Sequence, residues 1–208
     1  SIICVPFCSS IFGLQNPPTM KNNIILFLLG ILAISSCQPE KQLPILGKIE
    51  ADFKFVNQDS QWVTQATVKD KVYVTDFFFT SCPTICPIMK SQMIRVYEKF
   101  KDADNFLLLS HSIDPNDSVA VLHDYAQRLG IQTKKWHMVT GERDGIFGIA
   151  KEYMVSAEID KNALGGFIHS GAFVLIDQKG RIRGYYDGIK KEEVDELMAD
   201  IEILLKKE

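Results

Sequence analysis

The segment Asp76-Phe-Phe-Phe-Thr-Ser-Cys-Pro-Thr-Ile-Cys-Pro87 carries two cysteines with three residues between them, each followed by proline. That spacing lets the sulfurs of Cys82 and Cys86 converge on one point, either to bond each other or to hold a soft metal. Two thiolates suit Cu(I) or Zn(II), and one added imidazole makes a three-coordinate set that suits copper. A structural zinc site takes four ligands, and no further cysteine lies carboxy-terminal to Cys86. The candidate imidazole is His169, in Gly165-Gly-Phe-Ile-His-Ser-Gly-Ala-Phe-Val-Leu-Ile-Asp177.

Other soft or ionisable groups weigh less. His111 ends an apolar run and is the next candidate ligand. His123 has charged neighbours on a helix and reads as solvated, and His137 beside Trp136 reads as structural. Met89 and Met93 share a helical stripe with Val96 and Phe100, the spacing of core packing. Asp76 interrupts an apolar strand and reads either as a buried carboxylate near the thiols or as an edge or turn residue.

These groups need a scaffold. Lys71 to Phe79 is β-rich and apolar, like a central strand. It should deliver Cys82 into a turn and Cys86 to the start of an amphipathic helix through Phe100. Pro87 falls in the first turn, where a missing N–H costs least, and the helix N-terminus should stabilise a Cys86 thiolate. Asn105 to Ser110 is a second strand. Asp117 can cap a helix that stops at Gly130. Trp136 to Thr140 reads as a strand and Glu142 to Tyr153 as a helix. Ala172 to Ile176 and Arg181 to Tyr186 are strands joined by the turn Asp177-Gln-Lys-Gly180. A last helix buries Val194, Leu197, Ile201 and Leu204. This order predicts an α/β, thioredoxin-like mixed sheet flanked by helices, with a helical insertion between Asp117 and Tyr153. His169, just before a strand, takes a position that faces the cysteine loop in such folds. Thioredoxin-type reductases usually have a cis-proline there and a C-x-x-C pair. His-Ser and C-x-x-x-C favour metal binding over plain disulfide exchange.

The amino-terminal region has a different character. Residues 1–19 precede Met20 and read as an over-extended start, so the repeat of the cysteine spacing at Cys4 and Cys8 carries no weight. Residues 20–36 combine Lys21, the apolar run Ile24 to Ile34 and small residues, the pattern of a signal peptide. The run is short of the roughly 20 residues of a membrane span. Ile34-Ser-Ser-Cys37 resembles the bacterial lipoprotein cleavage box, which makes Cys37 the expected lipidation site. Residues 37–50, with Pro39, Pro44 and Gly47, read as anchor and linker, and residues 51–208 as the domain. Of five cysteines, processing and lipidation then leave Cys82 and Cys86, in an exported protein where a lone close pair is a disulfide or a metal site. So small a loop adds little stability, so the pair reads as functional. The net charge of −3 offers no basic field for nucleic acid.

From about Asp52 to Glu208 the chain resembles the Sco/SenC family of copper-delivery proteins for cytochrome c oxidase assembly. The resemblance rests on Phe-Phe-Thr-Ser-Cys-Pro-x-x-Cys-Pro, Ser112-Ile-Asp-Pro-Asn-Asp117, Thr140-Gly141, and His169-Ser170 before an apolar strand. Ile168 departs from it, where many members have Asp, as does Thr84, at a commonly acidic position. The resemblance implies a copper-binding metallochaperone, with Cys82, Cys86 and His169 as ligands of Cu(I) or Cu(II) and Cys82–Cys86 as a redox-active pair. Its implied partners are the copper-centre subunit of cytochrome c oxidase and a thiol–disulfide reductant, while the lipoprotein box at Cys37 points to a bacterial envelope membrane, facing the periplasm or exterior. It implies no catalytic residues. The alternative is a thiol–disulfide oxidoreductase acting on a partner's cysteines. A peroxiredoxin-like peroxidase fits less well, because Phe79 holds the place of its threonine.

Overall fold

The computed structural model describes residues 41–160 and 166–206. The expectations for Cys4, Cys8, Cys37 and the segments 1–19 and 20–36 lie outside the described residues. Strand β4 (Val72–Phe78) is buried along its whole length, which explains a near-continuous apolar run in place of alternation: both faces of the sheet are covered. It pairs in parallel with β5 (Phe106–Ser112), which pairs in parallel with β6 (Trp136–Thr140). On the other side β4 pairs antiparallel with β9 (Ala172–Ile176), which forms a hairpin with β10 (Arg181–Asp187). The short strands β1 (Gly47–Lys48), β2 (Lys54–Asn57) and β3 (Trp62–Thr64) complete an eight-stranded sheet in the order β1-β10-β9-β4-β5-β6-β2-β3. A separate two-stranded ribbon joins β7 (Ala157–Ile159) to β8 (Phe167–His169).

Helix α1 (Gln65–Val68) is a single turn. Helix α2 (Cys86–Phe100) buries Met89, Met93, Val96 and Phe100, as the stripe predicts. Burying each large apolar side chain contributes about 1.5–3 kcal/mol. Helix α3 (Val119–Leu129) ends at Gly130 in the left-handed conformation, φ 67°, which glycine adopts without steric penalty. Helix α4 (Arg143–Glu152) follows β6, and α5 (Lys191–Leu205) packs on α2, β4 and β10. The segment from Asp117 to Tyr153 therefore contributes two helices and a paired strand of the main sheet. The whole is the thioredoxin-like mixed sheet that the sequence predicts.

Two expectations need correction. Residues 41–50 belong to the domain, not to a linker before residue 51. Leu43 and Ile49 are buried, and β1 pairs with β10. The Arg183 guanidinium donates to the carbonyls of Leu43 and Pro44, the latter at 2.7 Å. Pro44 and Gly47 gave this stretch the look of a linker, whereas a distant arginine satisfies its backbone. Second, Ser118 caps α3, its hydroxyl accepting from the Val121 N–H at 3.4 Å. Asp117, one residue earlier, turns its carboxylate elsewhere.

Candidate metal centre

Asp117 accepts the Thr80 N–H at 2.9 Å, the Thr80 hydroxyl at 2.5 Å and the Ser112 hydroxyl at 2.5 Å. It is 2% exposed, and it fastens the turn that leaves β4 to the loop that leaves β5. Cys82 lies two residues beyond Thr80 in that turn. Cys86 opens α2, with Pro87 in the first turn as predicted. Strand β8 brings His169 in from a segment remote in sequence, and its imidazole packs edge-on against Phe79 at 5.9 Å between ring centres.

Among the described residues, one atom each of Cys82, Cys86 and His169 lies within 4.8 Å of the other two, and all three residues are buried. Both cysteines are free thiols. Cys86 Sγ sits 3.2 Å from His169 Nε2. His169 Nδ1 lies 3.0 Å from the Ser170 carbonyl oxygen. That oxygen can only accept, so Nδ1 carries the hydrogen and the Nε2 lone pair faces the cysteines. A ligand histidine is commonly oriented by such an outer hydrogen bond, which here comes from the Ser170 backbone. Burial holds His169 below the ordinary imidazole pKa, although the Ser170 carbonyl and Asp76 act against it. It is thus neutral and able to coordinate at neutral pH.

The two thiols differ. Burial pushes Cys82 up, but hydrogen bonds from the Thr84 and Cys86 backbones and from the Cys86 and Thr84 side chains outweigh it, and its pKa falls below the ordinary thiol value. The Thr84 hydroxyl lies 3.6 Å from Cys82 Sγ. Burial dominates at Cys86 and raises its pKa to about 12. The helix-terminus expectation for Cys86 is therefore reversed: the end of α2 lies inside the protein, where loss of solvent outweighs the helix dipole.

Sequence reasoning missed one buried cluster. Asp76 is fully buried in the middle of β4, neither at an edge nor in a turn, and pairs with Lys90 at 2.6 Å. Lys90 also donates to the Ser110 hydroxyl at 3.1 Å and lies 3.9 Å from the centre of the Phe78 ring. Ser110 donates to Asp76 and accepts from the Trp136 indole at 2.9 Å. A signal was present: opposite charges each interrupt an apolar pattern, Asp76 in a strand and Lys90 in the stripe of Met89 and Met93.

The remaining candidates take other places. His111 stacks on Phe77 at 4.8 Å and binds Thr75 Oγ1 through Nδ1 at 3.1 Å. It lies with Phe55 and Tyr153 on the face of the sheet opposite Lys90 and, among the described residues, joins no ligand cluster. His137 bonds Asn57 at 3.1 Å in the interior, and the exposed His123 pairs with Asp59 at 3.0 Å. Met89 and Met93 are core residues with no exposed surface.

Fold and site together define a thioredoxin-like protein with a convergent Cys–Cys–His donor set. The sequence profile of the SCO1/SenC family matches residues 43–206, and the chain belongs to that family. It is similar to the SCO1 protein homolog of Bacillus subtilis, 29% identical over 72% of this chain and 79% of the relative. A solved SCO1/SenC family lipoprotein from Bacillus anthracis matches with a TM-score of 0.70 and 30% identity, covering 77% of this chain and 96% of that one. BsSco, described as a Sco-family cytochrome c oxidase assembly protein with a disulfide switch, matches with a TM-score of 0.68 and 28% identity, covering 81% of this chain and all of that one (100%).

Proposed function

We propose that this protein is a metallochaperone that binds copper through Cys82, Cys86 and His169 and delivers it to the copper-centre subunit of cytochrome c oxidase during assembly. The observation that carries the reading is the convergence of two sulfurs and one imidazole nitrogen within 4.8 Å. Two thiolates and a nitrogen form a soft, low-coordinate set suited to copper. The His169 lone pair is already aimed inward, so little reorganisation attends binding. Sco chains from Arabidopsis thaliana and Bradyrhizobium japonicum have been solved with copper bound; at 23% identity and a TM-score of 0.62 their likeness concerns the fold.

Cu(I) is content with two thiolates, while Cu(II) gains more from nitrogen. His169→Ala should therefore keep appreciable Cu(I) binding and lose most Cu(II) binding, and Cys82→Ser or Cys86→Ser should damage both. The test is a paired titration, with Cu(I) against a competing chelator and with Cu(II) by its thiolate-to-copper absorption. A His169→Ala protein with wild-type Cu(II) affinity and an unchanged band would remove His169 from the ligand set.

A second reading is a thiol–disulfide oxidoreductase, favoured by the unequal thiols: Cys82 below the ordinary value and Cys86 pushed up to about 12. In that role Cys82 attacks a partner disulfide, and Cys86 releases the resulting mixed disulfide. Oxidation removes both thiolate donors, so disulfide formation and copper loading should exclude one another. Thiol trapping before and after loading tests this, and full copper retention by the disulfide form would refute it. A redox-active pair also needs a thiol–disulfide reductant as partner.

The segment before the domain supports attachment through lipid at Cys37, with residues 20–36 removed as a signal peptide, at a bacterial envelope membrane facing the periplasm or exterior. Among the described residues no helix is long and apolar enough to cross a membrane. Mass spectrometry of membrane-extracted protein should find a lipidated Cys37 at the N-terminus; an unmodified residue 37 would refute the anchor.

A further inference from the structure

Burying a lysine and an aspartate together carries a large desolvation penalty, and a hydrophobic pair of similar volume is often at least as stable. Lys90 is 2% exposed and Asp76 fully buried. Core stability therefore does not account for them, and their position matters. Lys90 follows Cys86 by four residues on α2, so the two side chains share one helix face. Lys90, Cys82 and Cys86 border the same cavity of about 430 Å³, whose lining also includes Ile94 and Tyr125.

Asp76 is held by Lys90 and Ser110, and Trp136 fixes Ser110 in turn. The carboxylate thus stays in the sheet, and the ammonium is borne on the helix that begins at Cys86. The charge of Lys90 acts on the donor set from the helix that carries Cys86. At Cys86 it opposes the upward push of burial, whereas at His169 the Asp76 carboxylate acts more strongly in the opposite sense, so the Lys90 charge is felt chiefly at the cysteine end.

The centre has an unbalanced charge. Two thiolates and a neutral imidazole around Cu(I) sum to −1, whereas the same set around Cu(II) sums to zero. A fixed cation nearby stabilises the first arrangement and is nearly indifferent to the second.

We propose that Lys90 is the charge-balancing residue of the metal centre, whose buried ammonium favours retention of the monovalent ion over the divalent one. The inference rests on the reading that Cys82, Cys86 and His169 hold copper. Asp76 keeps the ammonium in place through their 2.6 Å ion pair, and Lys90 acts on the metal through space, without ligating it.

The experiment compares reduced full-length wild type with Lys90→Met and with the double variant Asp76→Asn/Lys90→Met, which leaves no unpaired carboxylate if the single variant folds poorly. Cu(I) affinity is read by competition with a chromophoric chelator, and Cu(II) affinity by the thiolate-to-copper band. Loss of one nearby unit charge at an effective dielectric of about 20 predicts a loss of Cu(I) affinity of roughly tenfold or more in Lys90→Met. Cu(II) affinity should change by less than about threefold. The double variant should lose Cu(I) affinity in the same selective way, though by less. Unchanged Cu(I) affinity in both variants, or equal losses for the two ions, would overturn the proposal. Wild type failing to bind Cu(I) would instead overturn the copper reading, and that result is visible before any variant is measured.

Discussion

His111 offers the sharpest quantitative test of the packing. It has no exposed surface, and burial lowers its pKa to about 4, with the Asp76 charge and a hydrogen bond to the Asp76 backbone acting the other way. In the unfolded chain the pKa is about 6.5. Between those values the unfolded state binds the proton and the folded state does not, so stability falls as pH drops through 6.5 and levels off below about 4. The two-state linkage expression gives a loss of about 1.5 kcal/mol at pH 5.5 and about 2.5 kcal/mol at pH 4.5, approaching about 3 kcal/mol at lower pH. His111→Phe removes the titrating group and keeps an aromatic ring against Phe77. It gives up the hydrogen bond that His111 Nδ1 makes to Thr75 Oγ1, whose own hydrogen goes to the Leu109 carbonyl at 2.7 Å. At pH 7 the variant should lie within about 1 kcal/mol of wild type. At pH 4.5 it should gain on wild type by about 2.5 kcal/mol relative to pH 7. Urea unfolding of the reduced protein at pH 7, 5.5 and 4.5 measures the difference, in which the titrations common to both proteins cancel. A gap between variant and wild type that did not change with pH would show that His111 is not held neutral by burial.

Asp117→Asn retains the shape of the side chain but loses acceptors for Thr80 and Ser112, and should cost about 1–3 kcal/mol by urea unfolding. It should also speed alkylation of Cys82 by freeing its turn; unchanged stability together with an unchanged alkylation rate would refute the anchoring role. In reduced wild type at pH 8, iodoacetamide should label Cys82 well before Cys86, as read by peptide mapping, because the thiolate is the reacting species. Equal labelling rates would mean that burial does not hold the Cys86 thiol up.

Local pattern determined much of this protein. The apolar run from Val72 to Phe78 marked a central strand, and the stripe of Met89, Met93, Val96 and Phe100 a packed helix. Asp177 to Gly180 fixed the β9–β10 hairpin, and Gly130 stopped α3. Cys82 and Cys86 are neighbours in sequence, so their convergence followed from spacing. His169 followed once the fold order was recognised, since the strand after it must lie beside the central strand.

Other features depended on contacts between distant residues. Whether residues 41–50 dock or trail is decided by Arg183, more than 130 residues away, which satisfies the Leu43 and Pro44 carbonyls. Asp117 has the sequence of a helix cap, yet Thr80 and Ser112 offer its carboxylate three donors, and Ser118 takes the cap. The order of the two thiols also came from the tertiary structure: a helix N-terminus favours a thiolate, but burial depth decides the sign, and the fold buries Cys86 more deeply than Cys82. The pairing of Asp76 with Lys90 was decided in the same way, because a charge that breaks an apolar pattern does not reveal its partner until strand and helix are packed face to face.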